Sequence, residues 1–283
     1  MPTPKNKLGR GTERYQRQLS GAYDRWVREL NPILKKAIRN DVPLSTIMGL
    51  VDEAIEVLLD KLFDINREAM FSAYKLGYGR TPDDAGLDKI KKSTAGFKES
   101  LQTNMGPRVR SVIESFLRAN LEPKASYAMD PASLAGSLGA QKSGLLQGGG
   151  GYWALGFQGA GDKMGIIDKN RTDAGEAPFK VKWELDPSSE HCEASPGHYG
   201  CPDLAGIYDS WDDLPTLPGG DVTCRGNCRC SIKIIEGKRE IDPISILAPR
   251  PRQTNPLEAA TRAVRRKRKP IPIVETEIEE ILS

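Results

Sequence analysis

The chain has 283 residues, enough for one large domain or two modest ones. Hydrophobic residues make up 38% and charged residues 28%, which is polar for a globular protein but not the composition of a chain disordered throughout. Lys and Arg number 41 against 38 Asp and Glu, so the formal charge of +3 does not mark a nucleic-acid binder, and local charge runs carry that question instead.

No stretch reaches the roughly 18 apolar residues of a membrane span, so no membrane partner is expected. The N-terminal MPTPKNKLGRGTERYQ has basic residues with no apolar run after them, unlike a secretory signal. A soluble chain made inside the cell is the expectation.

The first third predicts helices. Tyr15, Leu19, Tyr23, Trp26, Val27, Leu30, Ile33, Leu34 and Ile38 recur mostly at steps of three or four, which places one apolar stripe along a helix over 12–38. Pro32 predicts a kink or restart within it. Asn40-Asp41-Val42-Pro43 then punctuates the chain. A stronger pattern follows from Leu44, through Ile47, Val51, Ile55, Leu58, Leu62, Met70 and Tyr74, and ends near Gly77 and Gly79. A third run over 84–120 carries Leu87, Ile90, Phe97, Leu101, Val109, Ile113, Phe116 and Leu117, with a break expected at Gly106-Pro107. Such stripes need one another for burial, so residues 1–120 predict a helical hairpin or bundle.

Residues 121–177 are rich in Gly, Ser and Ala and admit two readings. One is a flexible linker. The other is a docking segment, because Tyr152, Trp153, Leu155 and Phe157 form an apolar cluster that a solvated tether rarely carries. The run of four glycines lacks the Gly-Lys-Ser/Thr ending of a phosphate loop. Residues 178–236 then read as β structure with turns. Phe179–Leu185 alternates apolar and polar positions, as does the stretch from Cys228 to Ile235.

The last segment, 237–283, is rich in proline and predicts an extended arm. Asn255-Pro256 has the form of a short helix start. A basic run follows, with Arg262, Arg265, Arg266, Lys267, Arg268 and Lys269, before an acidic end at Glu275, Glu277, Glu279 and Glu280. The basic run is either a solvated tail or a contact for DNA phosphates or an acidic protein face. The fold class expected is α+β: a helical N-terminal body, a small β-rich, cysteine-pinned C-terminal module and extended terminal arms.

All five cysteines fall between residues 192 and 230, in the pattern Cys192-x8-Cys201-x22-Cys224-x3-Cys228-x-Cys230, with His191 and His198 nearby. An odd count argues against a purely disulfide framework in a reducing compartment. Structural zinc takes four thiolate or imidazole ligands, usually as pairs from separate segments. Cys228 and Cys230, two apart on an expected strand, point to one face. The ligand set predicted is Cys192, Cys201, Cys228 and Cys230, with Cys224 or a histidine as the substitute fourth ligand. Late disulfides and unliganded buried thiols remain open alternatives. Neither HExxH nor HxE…PCxxC occurs, and no Ser/His/Asp arrangement is visible, so no catalytic residue is assigned and a non-enzymatic protein is expected.

Trp183-Glu184-Leu185-Asp186, Cys192, Cys201-Pro202-Asp203-Leu204-Ala205-Gly206, Leu214-Pro215-Thr216-Leu217-Pro218 and Asn227-Cys228-Arg229-Cys230 follow one another in order. This stretch resembles the C-terminal module of the Mu F-type minor head proteins, or head morphogenesis proteins, of tailed bacteriophages. Two departures stand out. The first cysteine pair is stretched to an x8 spacing, and Arg225-Gly226, with Cys224 upstream, replaces the His-Pro usual before Asn-Cys-Arg-Cys. The resemblance implies a structural virion component of few copies, made in the host cytoplasm and placed in the head near the portal vertex. It implies the portal protein and major capsid protein as partners, packaged DNA as a further contact of the basic run, and a role in head assembly, DNA packaging or DNA delivery. The alternatives are a zinc-ribbon nucleic-acid-binding protein and, less favoured, a hydrolase whose site the sequence does not reveal.

Overall fold

The computed structural model describes residues 7–121, 131–146, 149–187, 190–224, 228 and 230–246. Its elements in order are α1 (Lys7–Arg39), α2 (Leu44–Tyr78), α3 (Asp84–Ser100), α4 (Gly106–Leu121), α5 (Pro131–Leu146), α6 (Gly149–Asp173), β1 (Lys180–Glu184), β2 (Gly206–Tyr208), β3 (Ser231–Glu236), β4 (Arg239–Ile241) and α7 (Pro243–Ile246). The class is α+β, a helical body carrying a small antiparallel sheet.

α1 and α2 form a long antiparallel pair. The α1 stripe buries Tyr15, Leu19, Tyr23, Trp26, Leu30 and Leu34 against α2 and its neighbours. Pro32 lies inside α1, which neither breaks nor restarts. A proline there removes one helical hydrogen bond, but Leu30, Leu34 and Ala37 stay buried on both sides of it, and tertiary burial holds the helix. Two side-chain bonds set the alignment of the pair. Trp26 Nε1 donates to the Ala54 carbonyl at 2.8 Å, and Asn66 Nδ2 donates to the Tyr15 hydroxyl at 2.6 Å. Gly79 closes α2 in the left-handed conformation at φ 78°, its N–H bonded to the Lys75 carbonyl. Asp83 caps α3 by accepting from the Gly86 N–H at 3.0 Å.

The break expected at Gly106-Pro107 is absent. α3 runs into α4 through a π-helical turn, Leu101–Met105, that absorbs the change of phase. Gly106 is buried there, and a Cβ on it would sit 3.1 Å from Leu59 Cδ1.

The Gly/Ser/Ala-rich stretch differs most from a tether. Two helices occupy it, and α6 lies against α2 along the middle of the body. Small residues make this contact possible. A Cβ on Gly77 would run into the Gly156 carbonyl oxygen, and one on Gly159 into the Tyr74 carbonyl oxygen. Tyr152, Leu155 and Phe157 are buried, so the aromatic cluster of this stretch docks on the body of the protein.

The sheet has the order β2-β1-β3-β4, all antiparallel. Register pairs Val181 with Ile234 and Trp183 with Ile232, and these four side chains form its buried face. Trp153 Nε1 on α6 donates to the Cys230 carbonyl at 3.3 Å, and Trp211 packs beside Gly161. α6 thus joins body and module.

Candidate metal centre

Three chain segments converge beside the start of β3. The first is the loop from His191 to Cys201. It folds back on itself, with Cys201 N–H donating to the Cys192 carbonyl at 3.0 Å and Ser195 and His198 exchanging backbone bonds of 3.1 and 2.8 Å. Gly197 at φ 78° makes that tight return. The second segment, 221–224, is tied to the loop by Tyr199 N–H to the Asp221 carbonyl at 2.9 Å and Thr223 N–H to the Tyr199 carbonyl at 3.0 Å. The third holds Cys228 and Cys230. Both precede β3, which begins at Ser231, so their proximity comes from the lead-in to the strand rather than from strand alternation.

All five cysteines are free thiols, and Cys201, Cys228 and Cys230 are buried. Cys201 Sγ lies 3.3 Å from Cys224 Sγ. Cys201, Cys224 and Cys228 have sulfurs within 4.8 Å of one another, and so do the ligand atoms of His191, Cys201 and Cys230. Cys228 and Cys230 lie close enough to shift each other's ionisation. A tetrahedron with metal–sulfur bonds of about 2.3 Å has edges of about 3.8 Å, and the ligand atoms within each group of three lie within 4.8 Å of one another. The cluster can hold a metal. Cys201, common to both groups, is its centre.

Of the ligand set predicted by spacing, Cys201 lies with Cys230 in one group and with Cys228 in the other. Cys224, expected as a substitute, sits in the cluster, and His191 joins it from the other side. Cys192 contacts Cys224 but belongs to neither group. The two ends of the x8 loop pair by the backbone bond from Cys201 N–H to the Cys192 carbonyl.

The electrostatics polarise the cluster. A hydrogen bond from Cys228, aided by Cys201, the Trp183 indole and the charge of His191, pulls Cys230 down from an ordinary thiol to about 6 against the opposing effect of burial. Its donor Cys228 is pushed far up by that same bond and by burial. Burial, then hydrogen bonding to Cys224, pushes Cys201 up, and burial does the same to Cys192. The fold therefore prepares one thiolate, the form a metal binds. Trp183 Nε1 is buried with no hydrogen-bond partner, and it lies near enough to Cys230 to help lower that thiol. Sequence spacing gave no sign of this role, because Trp183 reads as an apolar strand residue.

A polar cluster at the seam between body and module also escaped the sequence. Asp162 on α6 accepts from the Tyr74 hydroxyl and from Lys89 Nζ, at the edge of a cavity of about 540 Å³ that Trp211 also lines. The basic run Arg262, Arg265, Arg266, Lys267, Arg268 and Lys269, and the helix start at Asn255-Pro256, lie outside the described residues. No helix is long and apolar enough to cross a membrane among the described residues.

No protein-family model, curated protein or solved structure matches the chain. The functional reading therefore rests on the motifs and on the site itself.

Proposed function

We propose that this chain is a structural minor head protein of a tailed bacteriophage, of the Mu F type, whose cysteine cluster binds zinc. Cys201, Cys224, Cys228 and Cys230 are the ligands, with His191 the alternative donor. Zinc fits because it accepts four thiolates in a tetrahedron and needs no open coordination position in a structural site. Bound there, it would link the loop before β2 to the lead-in of β3. The ion thereby closes the sheet at the end where Trp153 joins it to the body. The chemistry is assembly, not catalysis.

One observation carries the reading: the residues of the head-protein resemblance coincide with one folded unit. Trp183 lies on β1, Gly206 opens β2, and Cys230 precedes β3, with Trp183 and Cys230 in direct contact. The partners proposed are the portal protein and the major capsid protein, at the portal vertex of the head. Packaged DNA is a further contact for the basic run.

Co-expression with the portal and major capsid proteins of the same genome, followed by sedimentation of assembled heads, tests this. The expected result is a few copies per head, retained at high salt. Absence from heads, together with tight DNA binding that weakens steeply with salt, would instead favour the zinc-ribbon nucleic-acid reading.

A further inference from the structure

The ligand atoms of the cysteine cluster fall into two groups of three, and the groups share one sulfur. His191, Cys201 and Cys230 lie within 4.8 Å of one another, as do Cys201, Cys224 and Cys228. Cys201 therefore stands between two seats. On one side, the 3.0 Å bond from Cys201 N–H to the Cys192 carbonyl brings the His191 end of the loop beside Cys201. On the other, Thr223 N–H bonds the Tyr199 carbonyl at 3.0 Å, and the next residue, Cys224, has its sulfur 3.3 Å from that of Cys201. Cys228 and Cys230, on the lead-in to β3, divide between the two groups.

One divalent ion on Cys201, Cys224, Cys228 and Cys230 draws Cys230 away from His191 and leaves that imidazole unused. It also leaves two net negative charges on a cluster in which Cys201, Cys228 and Cys230 are buried. A second divalent ion relieves both. Cys230 stays with His191 and serves the second ion, while Cys192, which lies close enough to Cys224 to be shifted by it, completes the first. Two divalent ions on five thiolates and a neutral imidazole carry one net negative charge instead of two, and charge is costly to bury. Sulfur and imidazole donors select soft or borderline ions over calcium and magnesium.

We propose that the cluster takes up a second soft divalent ion when metal is in excess, held by His191, Cys201 and Cys230, with the Cys201 thiolate bridging the two ions. The second ion has three protein ligands, one of them shared, and a fourth position left to water. It is the looser of the two and leaves first on dilution or chelation, so a single ion stays with the isolated chain. When it leaves, Cys230 returns to the first ion and displaces Cys192. The inference rests on the zinc-binding reading of the cluster and is independent of the head-protein reading.

The test uses the full, reduced chain with a spin-active isotope of cadmium as the probe. Native mass spectrometry should count two ions per chain in cadmium excess and one after a brief chelator wash. The cadmium resonance spectrum of the doubly loaded chain should show two signals split by coupling to each other, which a shared sulfur transmits. His191→Ala should lower the count in excess from two to one. A count of one at every cadmium level overturns the proposal and leaves the zinc-binding reading standing, whereas a count of zero overturns both. Two signals without mutual coupling overturn the bridge, and with it the proposal. A folded His191→Ala chain that still takes two ions, or takes none, overturns it as well. Should that variant fail to fold, the count and the coupling in the wild-type chain decide.

Discussion

Gly77→Ala and Gly49→Ala make the same chemical change in the same helix and should have opposite effects. Gly49 is exposed on α2, and a Cβ there meets nothing within 4 Å. Alanine at an exposed helical position gains about 1 kcal/mol over glycine. Gly77 is buried where α2 crosses α6, and its Cβ would strike the Gly156 carbonyl oxygen and lie 2.7 Å from Ala160 N. Both obstacles are backbone, so relief requires the helices to part by about 1 Å. A gap of that size forfeits a quarter to a half of the dispersion energy of each contact along the seam. Overpacking of this kind costs about 3 kcal/mol, which outweighs the alanine gain. The two variants should therefore differ by about 3 kcal/mol, a large part of the roughly 5–15 kcal/mol that holds a domain. Urea denaturation with metal present measures this through the midpoint at constant slope. A Gly77→Ala chain as stable as Gly49→Ala would refute the close crossing of α2 and α6.

Cys201→Ser should abolish metal binding and loosen the sheet, whereas Cys192→Ser should keep the metal stoichiometry of wild type; metal analysis of the two purified variants separates them. Trp183→Phe keeps the ring in the core but deletes the indole N–H that supports the Cys230 thiolate, so metal affinity should fall about ten-fold or more, read by competition with a chelating dye. In the metal-free, reduced chain, ultraviolet absorbance should report one thiolate appearing near pH 6, with Cys192, Cys201 and Cys228 ionising above the ordinary thiol range. The sign follows from the lowered value. Cys230 stabilises the metal-free fold fully above its unfolded value of 9.0, and this contribution declines as pH falls and is gone below about 6. Denaturation midpoints that rise on acidification across that window would contradict the assignment.

Much of the fold was legible because burial writes a period into the sequence. The stripes of α1, α2, α3 and α4 and the alternation Val181, Trp183, Ile232, Ile234 follow directly from which face is covered. The helices α5 and α6 were hidden by composition. Glycine lowers helix propensity, and nothing local reveals that Gly156 is small because the Leu8 side chain fills the space of a Cβ, or Gly159 because the α2 backbone at Tyr74 passes against it. The cysteine cluster announced itself, but its membership did not. Spacing cannot say that the Cys192–Cys201 loop closes by a backbone bond, or that the turn at 221–224 brings Cys224 to Cys201. Partners distant in sequence, such as Tyr74, Lys89 and Asp162, carry no periodic signal at all.

Metal content tests the central claim most directly. The chain, purified from zinc-replete cells without chelator, should contain one zinc per chain by elemental analysis, and removing it should release protected thiols and melt the sheet module. Well under one zinc per chain, with all five cysteines reacting freely in the folded protein or oxidised in pairs, would contradict it.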